Sequence, residues 1–195
     1  REFEQSNEGK DIVSIEQFNK MSGIVGSLNR SPRAIDYLTG GQHELSIVWR
    51  DSETDLLCKA RVDHWHQEHG RAADLKTTRD ALDFGRAIAN LHYDRQAAFY
   101  SDGLEALGFT VLEFCIVAVE SEPPFGCRSA PMGQRTLADG RRKYREALRR
   151  LAQAKQSDEW PNYADPVTWD KPRWDFVDVE PVRLLIQQSE FFVRS

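Results

Sequence analysis

Asp63 and the run Asp74-Leu75-Lys76 carry the residue types that could do chemistry in this chain. On a strand, residues i and i+2 point to the same face, so Asp74 and Lys76 project side by side, with Leu75 turned into the core. If the strand that ends near Asp63 pairs with the short Asp74 strand, a second carboxylate arrives at the same edge. Two carboxylates plus a backbone carbonyl oxygen suit Mg²⁺, which prefers hard oxygen ligands and keeps several waters. Such an ion lowers the pKa of a bound water and neutralises charge on a phosphate under attack. Lys76 would orient that water or stabilise the developing pentavalent phosphate. Taken alone, an Asp-x-Lys pair is more often a solvent-facing ion pair, and an Asp ten residues earlier changes that little.

The elements that must position these residues follow from periodicity. Apolar positions from Ile12 to Leu38 recur at helical spacing over 11–38, with Ser14 and Gln17 as a capping pair and Ser31-Pro32 as an interruption. After Gly40-Gly41 the period changes to two, giving a strand over 44–50, a turn at 51–55 and a second strand over 56–65. A turn at 66–70 leads to a third strand over 71–76. Thr77 or Thr78 caps a long helical pattern that runs from Ala81 to Leu107, with Gly85 and Gly103 as breaks or close-packing points. Residues 109–119 are almost continuously apolar and β-branched, as in a central strand covered on both faces. A loop at 123–126, a short strand at 128–132 and a helix over 134–155 follow. Beyond Ser157 the pattern becomes extended. The order implies an α/β fold, a central mixed sheet flanked by helices.

Composition sets limits. No apolar run approaches the ~20 residues of a membrane helix. Three scattered cysteines, Cys58, Cys115 and Cys127, argue against a disulfide framework and for a reducing, cytoplasmic setting, and they are too few for a four-cysteine iron–sulfur cluster. The formal net charge of −5 coexists with a basic block at 141–150, so its sign says little about nucleic acid. The start at Arg1, without Met, suggests that the N-terminus is incomplete.

The words around the triplet are more specific than the triplet. Cys58-Lys59-Ala60-Arg61-Val62-Asp63, then Asp74-Leu75-Lys76-Thr77-Thr78, then Gln96-Ala97-Ala98-Phe99-Tyr100-Ser101-Asp102-Gly103 resembles the PD-(D/E)xK nucleases, and among them the exonuclease VIII (RecE-type) nuclease domain of phages and prophages. Asp158-Glu159-Trp160-Pro161 and Pro172-Arg173-Trp174 fit the end of that domain, and the match spans roughly 40–175. Val62 departs from the Pro usual in the family. The resemblance implies a restriction-endonuclease-like core and one nuclease domain over 1–195. Its parts would be a helical segment at 1–40, a catalytic core at 41–156 and an extended segment at 157–195.

The same resemblance implies that Asp63 and Asp74 bind the metal, with the Leu75 carbonyl as a further ligand and Lys76 as the catalytic lysine. Mg²⁺ is the expected ion, with Mn²⁺ as a substitute. Gln96 and Tyr100, four residues apart on one helical face, would contact DNA near the scissile phosphate. Glu44 is a candidate further ligand that reads equally as a solvated strand residue. No counterpart of the family's metal-site His stands before Gly40.

Other candidates are less specific. Thr77 and Thr78 at a helix start would contact phosphate. Arg142, Arg145 and Arg149 fall on one side of their helix, where they would follow a DNA backbone or meet a subunit. His64, His66 and His69 invite a zinc reading, but a solvated hairpin end fits their alternation better. By resemblance, the expected activity is 5′-to-3′ degradation of one strand of linear duplex DNA, leaving 3′ single strands for recombination. A ring-shaped homo-oligomer, trimer or tetramer, and a single-strand annealing partner are implied in the same way. The rivals are an endonuclease with the same centre and a non-catalytic DNA-binding module.

Overall fold

The computed structural model describes Asn7, residues 12–160, and the backbone of 185–186 and 189–190. Five strands form one mixed sheet in the order β1-β2-β3-β4-β5: β1 (Gln42–Arg50), β2 (Leu57–His66), β3 (Arg71–Thr78), β4 (Glu113–Glu120) and β5 (Cys127–Pro131). Only β3 and β4 are parallel; the other neighbours run antiparallel. The helices are α1 (Ile15–Arg30), α2 (Pro32–Leu38), α3 (Phe84–Asn90), α4 (Tyr93–Ala106) and α5 (Gln134–Ser157). The chain divides into two compact units, residues 1–159 and 160–195; in the second, Leu185–Ile186 pairs antiparallel with Ser189–Glu190. The remainder of the extended segment inferred over 157–195 lies outside the described residues.

Each sheet face has its own core. One holds Ile47, Trp49, Val62, Trp65, Ala72, Phe114 and Ile116 together with Ala97 and Leu104 of α4. The other holds Ala73, Cys115 and Val117 against Ala34 and Tyr37 of α2. β4 is buried along all but its end residues, as the apolar run predicts, because helices cover both of its faces. Its hydrogen-bonded part starts at Glu113, not at Phe109; Phe109 and Val111 pack against the first core from the connection.

Start and stop signals explain several boundaries. Ser14 and Gln17 form the inferred capping box of α1, and Ser31 caps α2 at the Ser31-Pro32 interruption. The helix expected from Ala81 to Leu107 is two helices, α3 and α4. The break is at Leu91-His92, with His92 in the left-handed region at φ 59°, and not at Gly85, which lies within α3. Gly103 is a close-packing point: a Cβ there would stand 2.7 Å from the Trp49 ring. Thr77 and Thr78 are not helix caps. They end β3, in register with Val119 and Glu120, and the Thr78 hydroxyl is engaged with the backbone of Asp80. Among the described residues no helix is long and apolar enough to cross a membrane.

Candidate active site

The site forms where β2 and β3 part. Their ladder covers only His66↔Arg71, Trp65↔Ala72 and His64↔Ala73. One step further Asp63 comes opposite Asp74, and the pairing stops. There the Leu75 N–H donates to Asp63 Oδ2 at 3.1 Å, so a side-chain carboxylate takes a backbone donor that a continued ladder would use.

The other side of β2 is interrupted at the same level. The β1–β2 partners run Gln42↔Trp65, His43↔His64, then Leu45↔Val62, missing Glu44 and Asp63. Glu44 has φ 52°, in the left-handed region. The irregularity breaks the two-residue alternation, so that Val62 and Trp65 both enter the same core. Asp63 is therefore freed from both ladders at the point where its carboxylate meets β3.

Asp74 and Lys76 project from β3 toward α4, on the face of Ala72. Leu75 points to the opposite face but is not in the core: it is 37% exposed, whereas Ala73 on that face is buried against α2. The expected burial of Leu75 fails because the helical cover that closes over Ala73 does not extend to it.

Asp74 is 1% exposed and has two neighbours. Gln96 Nε2 donates to Oδ1 at 2.5 Å, and Lys76 Nζ lies 2.6 Å from Oδ2. The Lys76 contact is ionic in distance but off hydrogen-bond geometry, so Oδ2 is a buried oxygen without a well-formed hydrogen bond. Burial pushes the Asp74 carboxyl above the usual range; Lys76 and Gln96 pull it down, and the Asp63 charge adds to the rise. Burial also raises the Tyr100 hydroxyl, with the Asp74 charge contributing and Gln96 acting against it. Asp63, Asp74, Lys76, Gln96 and Tyr100 thus form one electrostatic unit.

Tyr93 belongs to it as well. The Lys76 ammonium lies 4.8 Å from the centre of the Tyr93 ring, a cation–π contact that fixes the lysine above α4. Sequence reasoning passed over Tyr93, although it stands three and seven residues before Gln96 and Tyr100 and so shares their helical face.

The donor set fits a hard divalent cation through two carboxylates, a backbone carbonyl and water. Among the described residues no group of three or more His, Cys, Asp and Glu converges as a metal cage. Glu44 is not brought into the set: its carboxylate is exposed and paired with Arg61 Nε at 2.8 Å. His64 Nε2 lies 2.5 Å from the Gly40 carbonyl oxygen, and the His66 and His69 rings stack at 3.9 Å.

Arg142, Arg145 and Arg149 of α5 do not form a free cationic row. Arg145 reaches Asp51 Oδ1 at 2.6 Å and Asp102 Oδ2 at 3.5 Å, and Arg149 is bonded to Glu53. Arg142 pairs with Asp139 at 2.7 Å within the helix. Two of the three are neutralised by acids from the β1–β2 turn, which the helical pattern alone does not reveal.

Comparisons with known proteins agree with this fold. A family described as "PDDEXK-like domain of unknown function (DUF3799)" matches residues 2–169. The crystal structure of a "putative exonuclease" from Eubacterium rectale superposes with a TM-score of 0.65, at 18% identity, covering 93% of this chain and 70% of that one. At such identity the likeness concerns the fold. The structure of SSO0001 aligns at a TM-score of 0.34 and 16% identity, covering 70% of this chain and 57% of that one, too weak a likeness to argue from. Among curated proteins none matches the sequence.

Proposed function

Because the chain belongs to the PDDEXK-like family DUF3799, we propose that it is a divalent-metal-dependent deoxyribonuclease whose centre is Asp63, Asp74 and Lys76. The observation that carries this reading is the placement of Asp74: a buried carboxylate held by Gln96 and Lys76, opposite an Asp63 that is bonded to the next residue's N–H. A purely structural ion pair gains little from such burial, whereas a cation-binding carboxylate needs that fixed orientation.

In this reading Asp63, Asp74 and the Leu75 carbonyl hold Mg²⁺, for which Mn²⁺ can substitute. When bound, the ion supplies charge neutralisation at the phosphate and a more acidic water. Lys76 turns its ammonium from Asp74 Oδ2 toward the phosphate and stabilises the charge that builds there as a water oxygen bonds to phosphorus. The P–O bond to the leaving oxygen breaks, and that oxygen takes up a proton from water. Tyr93 limits how far the ammonium swings. Gln96 keeps Asp74 Oδ1 engaged, and Tyr100 stands beside both, within reach of the Asp74 charge.

The finer reading is an exonuclease that enters linear duplex DNA at an end, degrades one strand 5′ to 3′ and leaves a 3′ single strand for recombination inside the cell. A homo-oligomeric ring and an annealing protein would accompany it. The fold neighbour described as an exonuclease and the Gln96–Tyr100 element support this over an endonuclease. The test is a supercoiled plasmid beside the same plasmid linearised, with Mg²⁺ and with chelator. Loss of the linear form alone is expected. Equal loss of both forms would overturn the exonuclease reading, and persistence of both would overturn the nuclease reading.

A further inference from the structure

Beside the Asp74–Lys76 pair lies a groove that the hydrolytic centre does not use. In the parallel ladder Asp74 is opposite Ile116 and Lys76 opposite Ala118, so these two share the face of the pair about 4.8 Å away. One strand further, Ala130 is opposite Ile116 and Arg128 opposite Ala118. The segment 81–88 folds over this part of the sheet. Leu82, Phe84, Ile88, Ile116, Ala118 and Met132 line a groove of about 370 Å³.

Three features connect the groove to the site and to a ligand. Phe84 stacks on Tyr93 at 5.7 Å, and Tyr93 is the ring that carries the Lys76 ammonium, so groove and catalytic lysine share one aromatic wall. Leu82 stands at the rim, 78% exposed, with its backbone fixed at both ends: its N–H donates to Asp80 Oδ1 at 2.8 Å, and its carbonyl accepts from Arg128 Nη1 at 3.0 Å. Arg128 is exposed and makes no ion pair among the described residues, leaving its charge for an anion. An apolar slot with an exposed cation at its mouth, one strand from a phosphate-cleaving centre, complements a nucleotide: a flat base with a phosphate attached.

We propose that this groove receives the base of the nucleotide flanking the scissile phosphate, drawn out of the duplex stack, with Arg128 on the adjoining phosphate. The proposal rests on the nuclease reading for the identity of the ligand. A paired base could not enter, because its edge is occupied by its partner, so occupancy requires the end of the duplex to open.

The experiment uses duplex oligonucleotides carrying 2-aminopurine at each of the first four positions from one end, bound to the full chain in Ca²⁺. Ala130→Trp fills the groove from the exposed edge strand, and Leu82→Ser, at a position in solvent, carries the same test should the first variant misfold. The wild type is expected to raise the emission several-fold at one position, as a base leaves the stack. Ala130→Trp should abolish that rise and weaken binding about ten-fold. Emission equal to that of free duplex at every position, or an unchanged rise in folded Ala130→Trp or, should that variant misfold, in folded Leu82→Ser, would overturn the proposal. The two readings separate cleanly: a rise without Mg²⁺-dependent cleavage sinks the nuclease, and cleavage without a rise sinks the groove.

Discussion

Gln96 Nε2 and Asp74 Oδ1 meet at 2.5 Å, linking the first turn of the Tyr93–Ala106 helix to the strand that carries the candidate catalytic pair. The bond leaves the buried carboxylate one orientation, with its other oxygen toward Lys76. Gln96→Ala should therefore lower the cleavage rate and raise the Mg²⁺ concentration for half-maximal rate, each by roughly 10–100-fold. Metal titration of the rate checks both, and a wild-type titration curve would contradict the positioning role.

Arg145 joins the β1–β2 turn to α4 and α5 through Asp51, which is 4% exposed, and Asp102. Arg145→Ala leaves the buried Asp51 carboxylate without its cation, whereas Asp102 keeps Arg141 at 2.6 Å, and should cost about 3 kcal/mol of unfolding free energy, measured by denaturant titration. The folded fraction should retain its cleavage rate. A stability change within ~0.5 kcal/mol, the ordinary range for a surface substitution, would show that the pairing contributes little.

Acid should weaken the same junction. Burial pushes the Asp51 carboxyl up, but donors from Thr54 and the charge of Arg145 outweigh it and hold the group below the ordinary 3.8. A depressed folded pKa gives stability that is fully present above 3.8 and is lost as pH falls through the folded value. Asp51→Asn should thus lose stability relative to the wild type at pH 6, with the gap closing below pH 3.8. A gap that stays constant down to pH 2 would contradict the assignment.

Much of this was legible in the sequence, because it depends on local periodicity. Alternation places Asp74 and Lys76 on one face, and helical spacing places Gln96 with Tyr100. The strands, the capping box at Ser14 and the Ser31-Pro32 break follow from patterns a few residues long. What escaped depends on distant partners. Leu75 is exposed because helical cover ends before it, and Arg145 and Arg149 are held by Asp51 and Glu53, more than ninety positions away. The helix break at His92 has no Gly or Pro to signal it, and the irregularity at Glu44 shows in its positive φ and in the β1–β2 register, not in the residue types.

Two glycines give opposite expectations. A Cβ on Gly140 would stand 2.0 Å from the Asp94 carbonyl oxygen, where α4 and α5 touch through backbone. Gly140→Ala should destabilise by about 1–3 kcal/mol despite the better helix propensity of Ala. Gly85, in α3 with nothing within 4 Å of a Cβ, should instead gain about 0.5 kcal/mol on substitution by Ala. Thermal melts of both variants check the pair, and equal shifts of the same sign would contradict the packing.

The most direct measurement is digestion of end-labelled linear duplex DNA by the wild type, Asp74→Ala and Lys76→Ala, each with Mg²⁺ and with chelator. The expectation is Mg²⁺-dependent loss of nucleotides from one labelled end by the wild type, and rates at least about 10³-fold lower in both folded variants, on the order seen when a main source of transition-state stabilisation is removed. Undiminished Mg²⁺-dependent cleavage by folded Asp74→Ala would contradict it.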